Sequence, residues 1–379
     1  MIDPNVCVFS KNMLVDMAQA TKDRNYVSVD KFVRQNCPFP VVLRGSTVPP
    51  DILVYALSFL NGRDITRFLT TGRPENQLQR AMNYHLLQRV FFSEIKIFGR
   101  AEYKFYWGVN ITHEFDPKNI DIRVLRAFLK IYYSPNPVEP DKLVKDSCLI
   151  PAIVPERVEC EGAVYEFNPE LVGQLAQYPG GGGYHAQYEN DNDGCIEQRG
   201  KDKPECASLV ILLREVIGRN KCWSKESENP EEWGQVQELQ DLNTRKKYGC
   251  ETEPGALPLL TVLFAQQAMY NQYPFGYHKL NRDGSESPST WARTRELIHN
   301  NNAFAKKNYP RMWKWHSAAH GKPGRMALGC FSKRRDELGN PWGELRVANK
   351  EEHCSKLIGV GVLRVFVSER DSKKRKKTP

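Results

Sequence analysis

The stretch ALPLLTVLFAQQAMYNQYP, residues 256–274, is the most apolar part of the chain, and any fold must hide it. Its leucines, alanines and glutamines are good helix formers, so it is predicted to be a central core helix. A membrane span needs about 20 apolar residues, and no run of even about eighteen occurs, so no membrane contact is expected. The first residues, MIDPNVCVFSKNMLVDMAQATKD, carry Asp3 where a secretory leader has basic residues, and they lack a continuous apolar stretch. No signal peptide is predicted, and the expected location is the cytoplasm, the nucleus or both. The 379 residues suit two or three domains, and 17 Phe, 16 Tyr and 7 Trp spread along the chain argue against long disorder.

Ten cysteines stand at wide, irregular spacings with no CxxC pair, which gives no support to a zinc ribbon or a redox motif. Scattered in this way they are predicted to be reduced core thiols. The closest pairs, Cys195/Cys206 and Cys148/Cys160, would bridge only in a secreted protein. The formal charge of +9 is concentrated at Lys333-Arg334-Arg335 and in the tail Lys373-Lys374-Arg375-Lys376-Lys377. A basic tail of that kind suits nuclear import, nucleic-acid contact or a plain solvated terminus.

Helical periodicity is clearest in residues 48–92. Ile52, Leu53, Ala56, Leu57 and Leu60 form one apolar stripe. Pro49-Pro50 and Asp51 suit a first turn, and Asn61-Gly62 suits its end. A second short helix is predicted around Ile65, Phe68 and Leu69, and a third from about Glu75 to Phe92, with Leu78, Met82, Leu86 and Val90 four apart. This segment resembles an F-box, the module that docks a protein onto Skp1 in cullin-RING ubiquitin ligases. Val48-Pro49 stands for the family's Leu-Pro, Asp51-Ile52-Leu53 for its acidic-aliphatic-Leu, and Leu57-Ser58-Phe59-Leu60 for its Leu-Ser-aromatic-Leu. Asp64-Ile65, Arg73 and Leu86-Leu87 match further positions. Asn76 or Gln77 stands where the family has Trp, and Leu87 replaces a second Trp. The resemblance implies that Pro49, Ile52, Leu53, Leu57, Leu60, Ile65 and Phe68 touch a Skp1-like protein.

Elsewhere, CPFPVVLRGS reads as extended through Val41-Val42-Leu43. IKIFGRAEYKFYWGVNI (95–111) fits either helix or strand, and KNIDIRVLRAFLKIYYS (118–134) is predicted helical, with Ile122, Leu125, Phe128, Leu129 and Tyr132 on one face. SPNPVEPDK reads as a linker. Leu149–Phe167 reads as irregular and Pro169–Tyr178 as helix, followed by the polar loop PGGGGYHAQYENDNDG. CASLVILLREVIG is predicted to be a buried helix, WGQVQELQDLNTRKKYG an exposed one, TWARTRELIHNNNAFAKKNY another helix, and LIGVGVLRVFVSE a strand. The expected fold is mainly α with some β (α+β), with a larger helix-dominated C-terminal domain. Its expected parts are an extension (1–46), the F-box-like module (47–95), a helical extension (96–134), a linker (135–141), the C-terminal domain (142–368) and a basic tail (369–379).

Several constellations could carry chemistry. Gly180–Gly183 lacks the Lys-Ser/Thr of a phosphate loop and the preceding strand of a dinucleotide fingerprint, which favours a flexible loop. Glu189–Gly194 has the oxygen density of a calcium loop, but Gly200 stands where the bidentate Glu belongs. His316 and His320 are four apart with no Glu after the first, so no metal site is expected. Glu251-Thr252-Glu253 and Glu159-Cys160-Glu161 have the acidic pair of ADP-ribosyltransferase toxins, without the Ser-Thr-Ser strand. The loops around His185, His278, His316 and His320 combine aromatic, Gly and His residues as ligand-binding loops do. The functional expectation is an F-box-type substrate adaptor with no cofactor, its C-terminal domain recruiting an unknown protein target, in a pathogen or viral setting of host ubiquitination. An enzyme with its site in the C-terminal domain, a transferase or a hydrolase, is the alternative. A nuclear nucleic-acid-binding protein is the third.

Overall fold

The computed structural model describes residues 41–43, 46–48, 91, 95–111, 121–188, 194–224, 227–272, 275, 290–298, 324–335, 341–350 and 357–367. The helices, in chain order, are α1 (Arg100–Trp107), α2 (Ile122–Tyr132), α3 (Val144–Ser147), α4 (Pro169–Gln177), α5 (Cys195–Arg199), α6 (Gln235–Thr244) and α7 (Ala256–Tyr270). The first six strands are β1 (Val41–Leu43), β2 (Ser46–Val48), β3 (Asn110–Ile111), β4 (Ala152–Val154), β5 (Arg157–Cys160) and β6 (Ala163–Glu166). The remaining six are β7 (Ala186–Tyr188), β8 (Ser208–Ile217), β9 (Trp291–Ile298), β10 (Gly324–Arg335), β11 (Pro341–Lys350) and β12 (Ile358–Val367).

The chain divides into two compact units, Met1–Lys96 with Pro117–Ser134, and Ile97–Asp116 with Pro135–Pro379. In the first unit β1 and β2 pair antiparallel with Val41 opposite Val48. Helix α2 is as predicted: the Asp121 carboxylate caps it by accepting from the Arg123 amide at 2.8 Å. Leu125, Phe128 and Leu129 are buried in one stripe, and Phe91 meets Phe128 edge to face with ring centroids 5.1 Å apart.

The second unit is organised by a seven-stranded sheet in the order β4-β8-β12-β9-β10-β11-β7. Its pairs are antiparallel except β12 with β9 and β11 with β7. The expectation of a mainly α, helix-dominated fold is therefore overturned; the described residues form a mixed α/β fold. Two segments account for most of the difference. CASLVILLREVIG is β8, not a helix, because it lies between two partner strands and is covered on both faces, which makes a strand continuously apolar. TWARTRELI is β9, with Ala292 and Thr294 buried, where helix was predicted. The stretch read as irregular, Leu149–Phe167, holds β4, β5 and β6, the last two completing a small three-stranded sheet with β3. Residues 95–111 resolve into α1 followed by β3.

Helix α7 does lie in the core, with twelve of its residues buried on all sides. Each fully buried leucine or valine contributes about 1.5–3 kcal/mol relative to exposure. Of its two buried amides, Gln266 accepts from the Ile150 amide at 2.9 Å, and Gln267 donates to Asn271 at 3.0 Å while its Oε1 is buried without a hydrogen-bond partner among the described residues. Gly361 of β12 lets the helix approach, since a Cβ there would meet Leu259 and Leu212 at 3.3 Å. No helix among the described residues is long and apolar enough to cross a membrane.

Candidate functional site

A cleft of about 490 Å³ opens in the second unit where the start of α7, the strand β9, the end of α5 and the 202–208 segment converge. Leu257, Pro258, Leu297 and Val365 give it an apolar floor, and charged side chains of both signs stand along its walls. Some of these charges hold the walls together. Arg199 donates twice to the Leu297 carbonyl, at 3.1 and 2.9 Å, and lies 3.6 Å from Asp202. Glu296, its side chain 12% exposed, accepts from the Ala256 amide at 3.0 Å and so caps α7. Others face the opening. Among the described residues the Arg295 guanidinium pairs with the neighbouring Glu296 carboxylate, at 3.6 Å, and the Lys203 ammonium with Glu166, at 3.9 Å. Glu251 also lines the cleft; its carboxylate acts on the nearby Arg364 guanidinium, and its own amide is held by the Leu363 carbonyl at 2.8 Å.

A second surface surrounds the glycine run. Asn168 caps α4 by accepting from the Leu171 amide at 2.8 Å, and the helix ends at Tyr178. The next residues turn tightly through Gly181 and Gly182, with φ of +62° and +73°. Gly180 donates to the Tyr106 carbonyl, Gly183 to that of Gly180, and Tyr184 to that of Ala268. Those amides are engaged by protein, which docks the turn on α1 and α7. Around it Phe105 is 58% exposed, Tyr178 80%, Tyr184 37% and Tyr270 37%. Phe105 packs edge to face on Tyr106, which stacks on Phe98 beneath. His185 is exposed, with Nδ1 2.7 Å from the Gln177 carbonyl. A carbonyl only accepts, so Nδ1 is the donor in this contact.

The other side of β12 carries a buried polar cluster. Arg364 donates to the Gly249 carbonyl, and Gly249 (φ +65°) has no room for a side chain beside that guanidinium. The Cys250 thiol donates to the Leu239 carbonyl at 3.2 Å, and the Tyr248 hydroxyl is buried without a hydrogen-bond partner among the described residues. Burial pushes the Cys148 and Cys250 thiols up to about 12, and it raises Tyr248 well above the usual phenol range. Neither thiol supplies a thiolate at neutral pH, so neither is a ready nucleophile. Burial also lowers Arg364 and raises the Glu215 carboxyl, which faces Glu139 and Asn136.

Of the histidines singled out from sequence, only His185 is described; His278, His316 and His320 lie outside the described residues. The Skp1-contact residues Pro49, Ile52, Leu53, Leu57, Leu60, Ile65 and Phe68 also lie outside them, as do the acidic loop 189–193 and the basic tail. Val48 ends β2, and Phe91 is helical and 1% exposed. Sequence reasoning missed the cleft: its charges come from separate segments, and each alone reads as a solvated side chain. No protein-family model, no curated protein and no solved structure matches the chain.

Proposed function

We propose that the chain is an F-box-type adaptor, with residues 48–92 docking a Skp1-like subunit and the second unit presenting a surface to a protein target. The ubiquitin-transfer chemistry belongs, in this reading, to the ligase that the adaptor joins. Two things support it. The motif residues Val48-Pro49, Asp51-Ile52-Leu53 and Leu57-Ser58-Phe59-Leu60 resemble the docking module, and the second unit displays four exposed rings around one rigid turn. The ring cluster is the observation that carries the recognition half. Exposed aromatics grouped on a firm support are the usual make-up of a protein-binding patch, since rings lose little entropy on contact and cover much area.

The test is a pull-down and titration of the full-length protein with purified Skp1. Wild type should bind at micromolar concentration or better, and Leu53→Asp or Leu57→Asp should abolish binding. An unpaired carboxylate on an apolar contact face costs several kcal/mol. Tyr178→Ala should leave the Skp1 titration unchanged. A folded full-length protein that gives no saturable signal with Skp1 would remove the F-box reading.

A further inference from the structure

We infer that the ring patch at the Gly180–Gly183 turn receives a proline-rich segment in the extended polyproline II conformation. This deepens the adaptor reading and rests on its recognition half, because it names the chemistry of the segment that the second unit would hold.

The rings are firmly placed. Phe105 lies against Gly181, where a Cβ would meet its ring carbon Cε1 at 2.2 Å, and Tyr106 lies against Gly183, 2.9 Å from a Cβ there. Gly180 donates to the Tyr106 carbonyl and Tyr184 to that of Ala268, which fastens the turn to α1 and to the end of α7. Tyr178 stands two residues before Gly180, and Tyr270 two residues after Ala268. Phe105 and Tyr106 meet at 89° with ring centroids 4.9 Å apart, forming a right-angled step. Rings held in this way have little freedom left to lose when a partner settles on them.

Charge narrows the partner. No Asp, Glu, Lys or Arg occurs in residues 178–188 or 264–272, and Lys104 precedes Phe105 on α1. An acidic or phosphorylated motif would find no cluster of cations in these segments. An amphipathic helix calls for an aliphatic groove, whereas the exposed large side chains at this turn are one phenylalanine and three tyrosines. A neutral glycan presents many hydroxyl donors, for which carboxylates are the strongest acceptors, and the two segments carry none. A proline-rich strand suits what is present. It has no internal hydrogen bonds, its carbonyls only accept, and its proline nitrogens have nothing to donate. Tyrosine hydroxyls can donate to those carbonyls, and aromatic surfaces receive the pyrrolidine rings. The strand is extended before it docks, so little order has to be imposed on it.

The experiment uses the full-length protein and fluorescein-labelled decaproline, titrated by anisotropy beside a labelled Gly-Ser decamer, with unlabelled maltoheptaose as competitor. Decaproline should bind saturably below millimolar concentration, the Gly-Ser decamer about tenfold more weakly or worse, and maltoheptaose should not compete. Tyr178→Ala and Phe105→Ala should each weaken decaproline binding by about fivefold or more, the size of a contact that matters at an interface. Tyr165→Ala, which removes an exposed ring of β6, should leave it unchanged. Tyr178 is the most exposed of the rings, so its variant should melt with wild type. Raising the salt should change the affinity by less than about twofold, because the contact is uncharged. Equal binding of the Gly-Ser decamer, competition by maltoheptaose, or steep salt dependence would each overturn the inference. So would unchanged binding in both patch variants, or no saturable signal. Skp1 is titrated against the same sample: intact Skp1 binding without a decaproline signal removes this inference alone, and the reverse result removes the docking half alone.

Discussion

On one face of β12, Val365 lines an open cleft where the Arg295 and Lys203 side chains stand largely exposed; one residue earlier, on the other face, Arg364 lies among Tyr248, Cys250 and Phe366. The two sides hold similar chemical groups and treat them in opposite ways. In the cleft, water solvates each charge, so an unpaired one costs little and stays available to a ligand. In the interior, desolvation governs: thiols and phenol are held neutral, and the guanidinium is tied to a carbonyl. Polarity by itself therefore does not mark a functional surface in this fold. A polar group is available for binding only where water keeps it charged and no neighbour has engaged it.

The largest effect that would test this contrast is at Tyr248. Tyr248→Ala should destabilise the protein by about 3–5 kcal/mol, as removal of a large buried ring does. Tyr248→Phe should be neutral or stabilising by up to about 1 kcal/mol, because the hydroxyl is buried without a partner. Urea unfolding of both variants decides it. A clear loss with phenylalanine would mean that the hydroxyl is engaged and that the interior resembles the cleft.

The thiols give the next effect. Their folded values lie above the unfolded value of 9.0, so the folded state binds more protons in that range and stability falls as pH rises from 9 toward 12. The double variant Cys148→Ala/Cys250→Ala should flatten that alkaline slope, measured by thermal melts across the range. In the native protein both thiols should resist iodoacetamide at neutral pH and react once urea unfolds the chain. Fast native alkylation of either would show that side of β12 to be open.

The smallest effect belongs to Glu215. Its carboxyl is raised by burial, so the folded state again binds more protons and this group's contribution worsens as pH rises above the ordinary carboxylate range. Glu215→Gln should raise the unfolding midpoint at neutral pH by less than about 1 kcal/mol, since the site is partly solvated. The gain should vanish toward pH 4. A loss at neutral pH would instead point to a favourable role for the charge opposite Asn136.

What was legible in the sequence follows physical lines. Helix α7 was readable because it is long, apolar and rich in helix formers, and β12 because Val and Gly alternate through IGVGVLRVFV. β8 was not, because a strand covered on both faces loses alternation, and a short apolar run such as SLVILL then fits either element. Its β-branched Val210, Ile211, Val216 and Ile217 were the available hint. β9 misled differently: its Arg and Glu residues sit at spacings that suit a helix face, and only pairing with β10 and β12 makes it a strand. The glycine run was legible as a turn, but the rings near it draw on α1 and α7 as well, which local sequence does not bring together. The cleft is a product of topology for the same reason.

The position of β12 also bears on how the protein is made. It is the latest strand of its sheet to be synthesised, yet it lies between β8 and β9, with Ser208 paired to Val367 and Trp291 to Ile358. Until it arrives, β8 has, among the described strands, β4 alone as a partner and presents a bare, apolar edge. The nascent chain must therefore carry this unpaired edge through synthesis of the intervening strands, a state prone to mispairing and suited to chaperone capture. For the same reason, a premature stop ahead of Ile358 would remove the middle of the sheet and not merely trim its border. Early truncations in this region should yield insoluble protein even though most of the coding sequence has been read.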